Sequence, residues 1–322
     1  METCKNRAKR ISLAIKEAVK KGGFKIIEEQ KNALVIEVKD GYKITASIIE
    51  DLAIVNLYSE FMELNQSREF IIELLNELNS STQIGGFTVK DDKIGFEIKF
   101  SYKDSLISSD AMLSYIKSMQ FCIIDVHSII LSYFKTPDTI RYYYEEYLFL
   151  GEERACLEMN PKEKISKRFS QMQRALDGHY PFKRVFPFTS SASFEQETEN
   201  IPLNICVCTA LEIGTYIFNC NFQYNFKEKL GAQLSSNLAL FLSNLLKLGN
   251  CSVKYGGHLE ISIQLPFYLS VISNSLILDM TNQIINVGKR LSGLLYRLGE
   301  KEIDFEEFKR EACKINIGNE NV

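Results

Sequence analysis

The side chains that most often perform catalysis or bind metals are few in this chain. Only three histidines occur: His127 lies in an apolar helical stretch, His179 follows a helix-ending glycine, and His258 stands beside a hairpin turn. None belongs to an HExxH or HxH pattern, so each is interpreted as structural. Cys206 and Cys208 would place two thiols on one strand face, but no second pair lies at zinc-finger spacing, which favours strand packing. We therefore predict no metal site.

Motifs for nucleotide binding or nucleophilic catalysis are also missing from the sequence. There is no GxxxxGK[ST] loop, no GxGxxG turn and no GxSxG elbow. Gly85-Gly86 and Gly256-Gly257 are interpreted as a helix-to-strand break and a hairpin turn, which need backbone freedom rather than a phosphate. Acidic pairs such as Asp91-Asp92 are typical of turns and solvated helix faces. The sequence thus predicts no catalytic residue, no cofactor and no enzyme.

Composition and charge are those of a globular protein with room for two domains. The chain has 322 residues, of which 45% are hydrophobic and 25% charged. A net charge of −3 and a pI near 5.8 predict no general attraction to nucleic acid or to an anionic membrane. The eight cysteines are scattered, the first residues are rich in Lys and Arg, and no apolar run approaches bilayer length. These features predict a cytoplasmic protein with reduced thiols.

A long internal repeat organises the chain. Residues 61–134 read as a helix, a glycine break, a hairpin and a second long helix, and a similar stretch returns at 241–298. Val89-Lys90 and Val253-Lys254 match at an offset of 164, whereas the segments FEIKF and LEISI match at 163. One residue has therefore been lost in the hairpin turn, where loops tolerate such changes.

The periodicity predicts an α+β fold of two tandem α-βββ-α-ββ-α domains. In the first domain, a helix over 5–21 precedes three predicted strands, which are rich in β-branched residues, at 33–39, 42–49 and 52–58. Ser109 and Asp110 are predicted to cap its last helix. The predicted units are a first domain at 1–134, a helical bridge at 135–160, a second domain at 161–300 and a short helical tail at 301–322.

The bridge at 135–160 has no counterpart elsewhere in the chain. It contains an aromatic cluster that includes Tyr142, Tyr143, Tyr147 and Phe149. Tyrosine is favoured where one end of a ring is buried and the other is wet, which indicates a partner-binding surface. The alternative is a bridging helix packed between the two repeats.

The helix over 5–21 has an apolar stripe and a basic opposite side. A basic side without interleaved aromatic residues is typical of the solvated face of a docking helix. The functional alternative is a nucleic-acid or lipid contact.

The order of elements, with the helix end LLNELN, the hairpin GGFTVKDDKIGFEIKF and the helix ISSDAMLSYIKSMQFCIIDVHSIIL, resembles the type III secretion chaperone-like fold. Within that fold it is most similar to the YbjN-like family of bacterial sensory transduction regulators. The resemblance covers 5–134 and, more loosely, 162–298. It implies a small protein-binding domain that commonly pairs with another, and it carries over no catalytic residue.

These observations predict a non-enzymatic protein-binding module, chaperone-like or regulatory, that acts as an intramolecular pseudo-dimer. Exposed sheet edges or helix-lined grooves would accept a segment of a protein partner. The protein would be either a monomer with pseudo-two-fold repeats or a homodimer. The alternative function is a small-ligand binding protein or an enzyme with its site between the two repeats.

Overall fold

The computed structural model describes residues 4–63, 68–81, 85–103, 105–135, 165–180, 184–186, 191–210, 215–266 and 271–315. Within these ranges the chain forms eight α-helices and two six-stranded antiparallel sheets. A two-stranded ribbon joins the two halves. The α+β class predicted from the sequence is therefore confirmed.

The first half combines one sheet with three helices. Its helices are α1 (Cys4–Gly22), α2 (Arg68–Ser81) and α3 (Ser109–Lys135). Its strands are β1 (Lys25–Gln30), β2 (Ala33–Glu37), β3 (Lys43–Ile49), β4 (Ile54–Glu63), β5 (Gly86–Lys90), β6 (Lys93–Ser101) and the short β7 (Ser105–Leu106). The sheet order is β1-β2-β3-β4-β6-β5. Apolar residues that alternate along its strands form one core with α1, α2 and α3.

The second half repeats this order. Its helices are α4 (Ile165–Leu176), α5 (Phe226–Leu230), α6 (Ala232–Leu245), α7 (Asn274–Gly299) and α8 (Phe305–Lys314). Its strands are β8 (Arg184–Phe186), β9 (Ser191–Gln196), β10 (Leu203–Ala210), β11 (Thr215–Asn225), β12 (Asn250–Val253), β13 (His258–Pro266) and β14 (Val271–Ile272). The sheet order, β12-β13-β11-β10-β9-β8, matches that of the first half strand for strand.

Glycines mark the same corner of both halves. Gly85 and Gly249, 164 residues apart, each have a positive φ just before the second hairpin. A Cβ at Gly85 would lie 2.6 Å from the carbonyl oxygen of Glu97, and one at Gly249 would lie 2.3 Å from that of Ser262. Both positions therefore require glycine for the φ angle and for the close approach to the neighbouring strand.

The α-βββ-α-ββ-α order lacks two strands in each half: a two-residue strand, β7 or β14, follows the second hairpin, and four strands rather than three precede the middle helix. In the first half the additional strand before the middle helix is β1, an exposed edge strand with a bulge at Ile27. Its sequence, KIIEEQ, lacks apolar alternation because neither face of it is buried.

Two helix boundaries also differ from the sequence-based expectation. The side chain that caps α3 belongs to Ser108, whose Oγ accepts from the Ala111 amide at 3.1 Å, rather than to Ser109 or Asp110. The apolar pattern over 230–247 predicts one helix; the structure has α6 there, and Gly231 separates it from the short α5 before it. Helix α8 lies within the predicted tail at 301–322, and its Phe308 is completely buried in the core of the second half.

Candidate functional site

The contact between the two halves contains several buried polar side chains, among them Asn76, Glu97 and Gln264. Strands β6 and β13 approach each other, and the middle helix of each half packs on the edge strand of the other: α2 on β12, and α6 on β5. Corresponding strands β7 and β14 pair antiparallel. Such reciprocal use of equivalent surfaces is the pattern of an isologous dimer interface.

Side-chain amides complete the two edge strands at this contact. The Asn76 side chain of α2 accepts from the Val253 amide at 2.9 Å and donates to the Val253 carbonyl at 3.4 Å. In the opposite direction, Asn244 of α6 donates to the Val89 carbonyl at 3.0 Å. These bonds satisfy backbone groups that an edge strand otherwise leaves unpaired. Edges β5 and β12 are thereby covered.

Two equivalent isoleucines, one from each half, pack into the hydrophobic core of the opposite half. Ile54, at the start of β4, is 5% exposed and joins the core of the second half. Ile217, its counterpart 163 residues later on β11, is 9% exposed and joins the core of the first half. Each half therefore buries an apolar side chain that it could not bury alone.

A buried ion-pair network lies at the same contact between the halves. The Glu97 carboxylate is completely buried and bonds Lys99 Nζ at 2.5 Å and Lys90 Nζ at 2.8 Å. Lys99 also donates to the carbonyl oxygens of Ser243 at 3.3 Å and Leu246 at 3.0 Å, at the carboxyl end of α6. Burial lowers the pKa of Lys99, and the Glu97 carboxylate opposes that shift.

The second half supplies an equivalent network in the opposite direction. Glu260 bonds Lys254 Nζ at 3.0 Å and accepts from Asn221 at 2.8 Å. Lys254 in turn donates to the Ser80 carbonyl at 2.6 Å, at the carboxyl end of α2. A cation is favourable at a helix carboxyl end, so each half stabilises the other's middle helix. The charged groups at this contact are thus bonded to one another and to the backbone.

The first of the three histidines lies at a separate place, between α3 and the sheet. His127 Nδ1 is hydrogen-bonded to the Tyr42 hydroxyl, and the Phe61 ring centroid lies 6.0 Å from the imidazole. Burial lowers the pKa of His127, which favours the neutral ring. Tyr42 and Phe61 also line a surface depression of about 350 Å³, with Glu60 and Lys43 at its rim.

The remaining histidines and the cysteine pair occupy structural positions. His258 Nδ1 lies 3.2 Å from the Tyr224 carbonyl, and His179 follows α4 in a turn. Burial raises the pKa of the Cys206 thiol to about 11 and that of Cys208 to about 12, so both remain protonated. Among the described residues, no group of three or more His, Cys, Asp or Glu side chains is placed to hold a metal ion.

A groove lies between α7 and α8. Its volume is about 700 Å³, and its walls include Leu294, Ile315, Tyr296 and Lys314. Arg297 of α7 and Glu311 of α8 form an ion pair of 2.8 Å across it. Gly293 leaves one wall open, since a Cβ there would meet only the Asn200 amide nitrogen at 3.2 Å. Sequence reasoning missed this groove because it depends on how α8 packs against α7.

The predicted partner-binding residues Tyr142, Tyr143, Tyr147 and Phe149 lie outside the described residues, as does nearly all of the bridge. Their role stays a prediction. Of the two asparagines in the helix end LLNELN, Asn76 bonds Val253 at the contact between the halves, whereas Asn79 bonds the Phe87 backbone within the first half.

No protein-family model, curated protein or solved structure matches this chain. The resemblance to YbjN-like regulators therefore stays a prediction based on the order of elements. None of the helices that the structure describes is both long enough and apolar enough to cross a membrane.

Proposed function

We propose that the chain is a non-enzymatic protein-binding module, chaperone-like or regulatory, whose two halves act as an intramolecular pseudo-dimer. The observation that supports this proposal is the helix-lined groove between α7 and α8. Its walls combine apolar side chains, such as Leu294 and Ile315, with charged side chains, such as Arg297 and Glu311. This combination is typical of surfaces that accept a segment of another protein.

The sheet edges are less suitable for a partner than the sequence suggested. Edges β5 and β12 carry helices of the opposite half. Edge β1 has a bulge and the charged residues Glu28 and Glu29, features that oppose strand addition. We therefore assign the partner to the groove, with the aromatic bridge residues as a second predicted contact.

The test uses photo-crosslinking in the living source cell. A photoreactive phenylalanine analogue replaces Lys314 at the groove wall, and captured proteins are identified by mass spectrometry. The recovered partner is then purified, and its affinity is measured for the wild type and for Gly293→Trp, which fills the groove. Lys289→Trp is the matched control, because Lys289 is exposed on the same helix outside the groove.

The proposal expects the Gly293→Trp substitution to weaken binding at least tenfold while the Lys289→Trp variant binds like the wild type, with a tenfold loss equal to about 1.4 kcal/mol. Equal affinities of both variants would contradict the assignment to the groove. A triple Tyr142→Ser, Tyr143→Ser, Tyr147→Ser variant, measured against the same partner, separates a contact on the bridge from one in the groove.

A further inference from the structure

Helix α1 concentrates positive charge on a surface that the groove proposal does not use. Its 19 residues include seven Lys or Arg and one Glu, a net charge of +6 in a chain whose total is −3. Two carboxylates from outside the helix, Glu29 and Asp110, pair with Lys16 and Lys21, so the helix together with these two partners still carries +4. We propose that the outward face of α1 binds the surface of a membrane that contains anionic lipids, with Leu13 entering the boundary between headgroups and acyl chains.

The outward face of α1 combines charge with one exposed apolar side chain. Lys9, Leu13, Lys16 and Lys20 follow a spacing of four, three and four residues, which places them along one side of the helix. Leu13 is 57% exposed, whereas the opposite stripe of α1 is buried in the first core. Lys9 and Lys20 are exposed and form no ion pair with a described residue. The leucine therefore has cations on both sides of it along the helix.

The exposed leucine favours a lipid surface over nucleic acid. Contacts to a phosphate backbone come from charged and polar side chains, and contacts to unpaired bases come from aromatic rings. Leu13 belongs to neither group, and α1 contains no aromatic residue. A membrane surface uses both properties of the face, because anionic headgroups attract the lysines and the acyl boundary accepts the leucine. The long stems of lysine keep the ammonium groups among the headgroups while Leu13 lies deeper.

The helix is already formed and held in place before it meets a membrane. Ile11, Ile15 and Ala18 on its inner side are completely buried. At its carboxyl end, Lys21 Nζ donates to Ser109 Oγ at 2.9 Å. Binding therefore costs no folding of α1, in contrast to segments that become ordered when they bind. One leucine and a few lysines are individually weak signals, so we expect an association that is reversible and is weakened by salt.

Co-sedimentation of the full chain with vesicles tests the proposal. The vesicles contain phosphatidylcholine and phosphatidylserine in equal amounts, and vesicles of phosphatidylcholine alone are the reference. We expect the wild type to sediment with the anionic vesicles and to stay in the supernatant with the neutral ones. Each lysine near an anionic surface contributes about fivefold to the partition coefficient, so the double variant Lys9→Gln, Lys20→Gln should lower it by at least about tenfold.

Two further variants separate the face of α1 from the charge of the whole chain. The matched control is Lys227→Gln, Lys289→Gln, which removes the same charge from exposed positions in the second half and should bind like the wild type. Leu13→Gln leaves the charge unchanged but removes the apolar contact, so it should lower the partition coefficient about fivefold. Failure of the wild type to bind anionic vesicles, or an equal loss in both lysine pairs, would overturn the proposal.

Fluorescence locates the leucine directly, because the chain contains no tryptophan. Leu13→Trp introduces a single reporter on the outward face of α1, and Lys289→Trp provides the same reporter on α7. When anionic vesicles are added, the emission of Leu13→Trp should shift to shorter wavelength and be quenched by brominated acyl chains, whereas that of Lys289→Trp should not change. Unchanged emission of Leu13→Trp in vesicle-bound protein would refute the entry of Leu13 into the bilayer.

A fluorescent DNA duplex of mixed sequence is the competing probe. Binding of the wild type to the duplex, weakened by Lys9→Gln, Lys20→Gln but not by Leu13→Gln, in the absence of vesicle binding would assign the face to nucleic acid and overturn the membrane proposal. None of these measurements involves the groove or a protein partner, so their outcome is independent of the proposed function.

Discussion

Replacing Lys99 by Met is the sharpest test of how the two halves are held together. Lys99 is the more buried of the two cations that bond the Glu97 carboxylate, and its side chain is 9% exposed. Removing it leaves a completely buried carboxylate with Lys90 as its remaining cation, at 2.8 Å. It also removes two hydrogen bonds to the carbonyls at the end of α6.

The expected cost is set by the charge that remains buried. Breaking a buried pair by removing one partner typically costs about 3–5 kcal/mol. We expect the lower end, about 3 kcal/mol, because Lys90 stays bonded to Glu97. The double variant Glu97→Leu, Lys99→Met also removes the buried carboxylate and leaves only Lys90, whose side chain is 36% exposed, so it should be more stable than Lys99→Met alone despite its two substitutions.

Urea unfolding followed by far-ultraviolet circular dichroism gives the free energies of unfolding. The matched control is Lys93→Met, which breaks an exposed pair with Glu60 on the same strand and should cost about 0–1 kcal/mol. If Lys99→Met were no more destabilising than Lys93→Met, or if the double variant were the least stable, the buried network could not hold the halves as argued.

Three further predictions concern other parts of the fold. Asn76→Ala should lower the free energy of unfolding by about 1–3 kcal/mol, because it leaves the Val253 backbone amide buried without its acceptor; an unchanged value in urea titration would argue against that bond. Gly288→Ala should lower the melting temperature, since its Cβ would lie 2.7 Å from a buried sulfur. Gly293→Ala should raise it, because its Cβ would meet only the side-chain amide of Asn200 at 3.2 Å, which can shift; the reverse order would refute the packing of α7. Because the folded state lowers the pKa of His127, it favours the neutral ring, so stability is present above the unfolded pKa of about 6.5 and declines as the pH falls through it. The variant His127→Gln should lose that part of the decline in unfolding measured from pH 7.5 to 5, and an identical pH profile would exclude the histidine as its source.

Much of the fold was open to prediction because one face of each sheet is buried. Alternation around Asp91-Asp92 predicted the hairpin of β5 and β6, and both residues have the positive φ that a two-residue turn requires. Strand β1 escaped prediction because it is exposed on both faces. The exact cap of α3 also escaped, since Ser108, Ser109 and Asp110 are all chemically suited to it.

The candidate sites depended on contacts between residues far apart in sequence. The repeat indicated that Glu97 and Glu260 correspond, but Glu97 looks like an ordinary polar-face residue of a strand until the second half covers it. The groove likewise joins Asn200 to α7 and α8, which no local pattern connects.

The sequence by itself determined the duplication, the α+β class and the glycines at the corners, because periodicity and backbone freedom are local properties. Only the tertiary structure decided which polar residues became buried and which edges were covered. Those outcomes depend on pairing of the two halves, in which Ile54 and Ile217 exchange cores and each middle helix closes the other half's sheet. Burial depends on two surfaces in contact, whereas the sequence of one strand specifies only one of those surfaces.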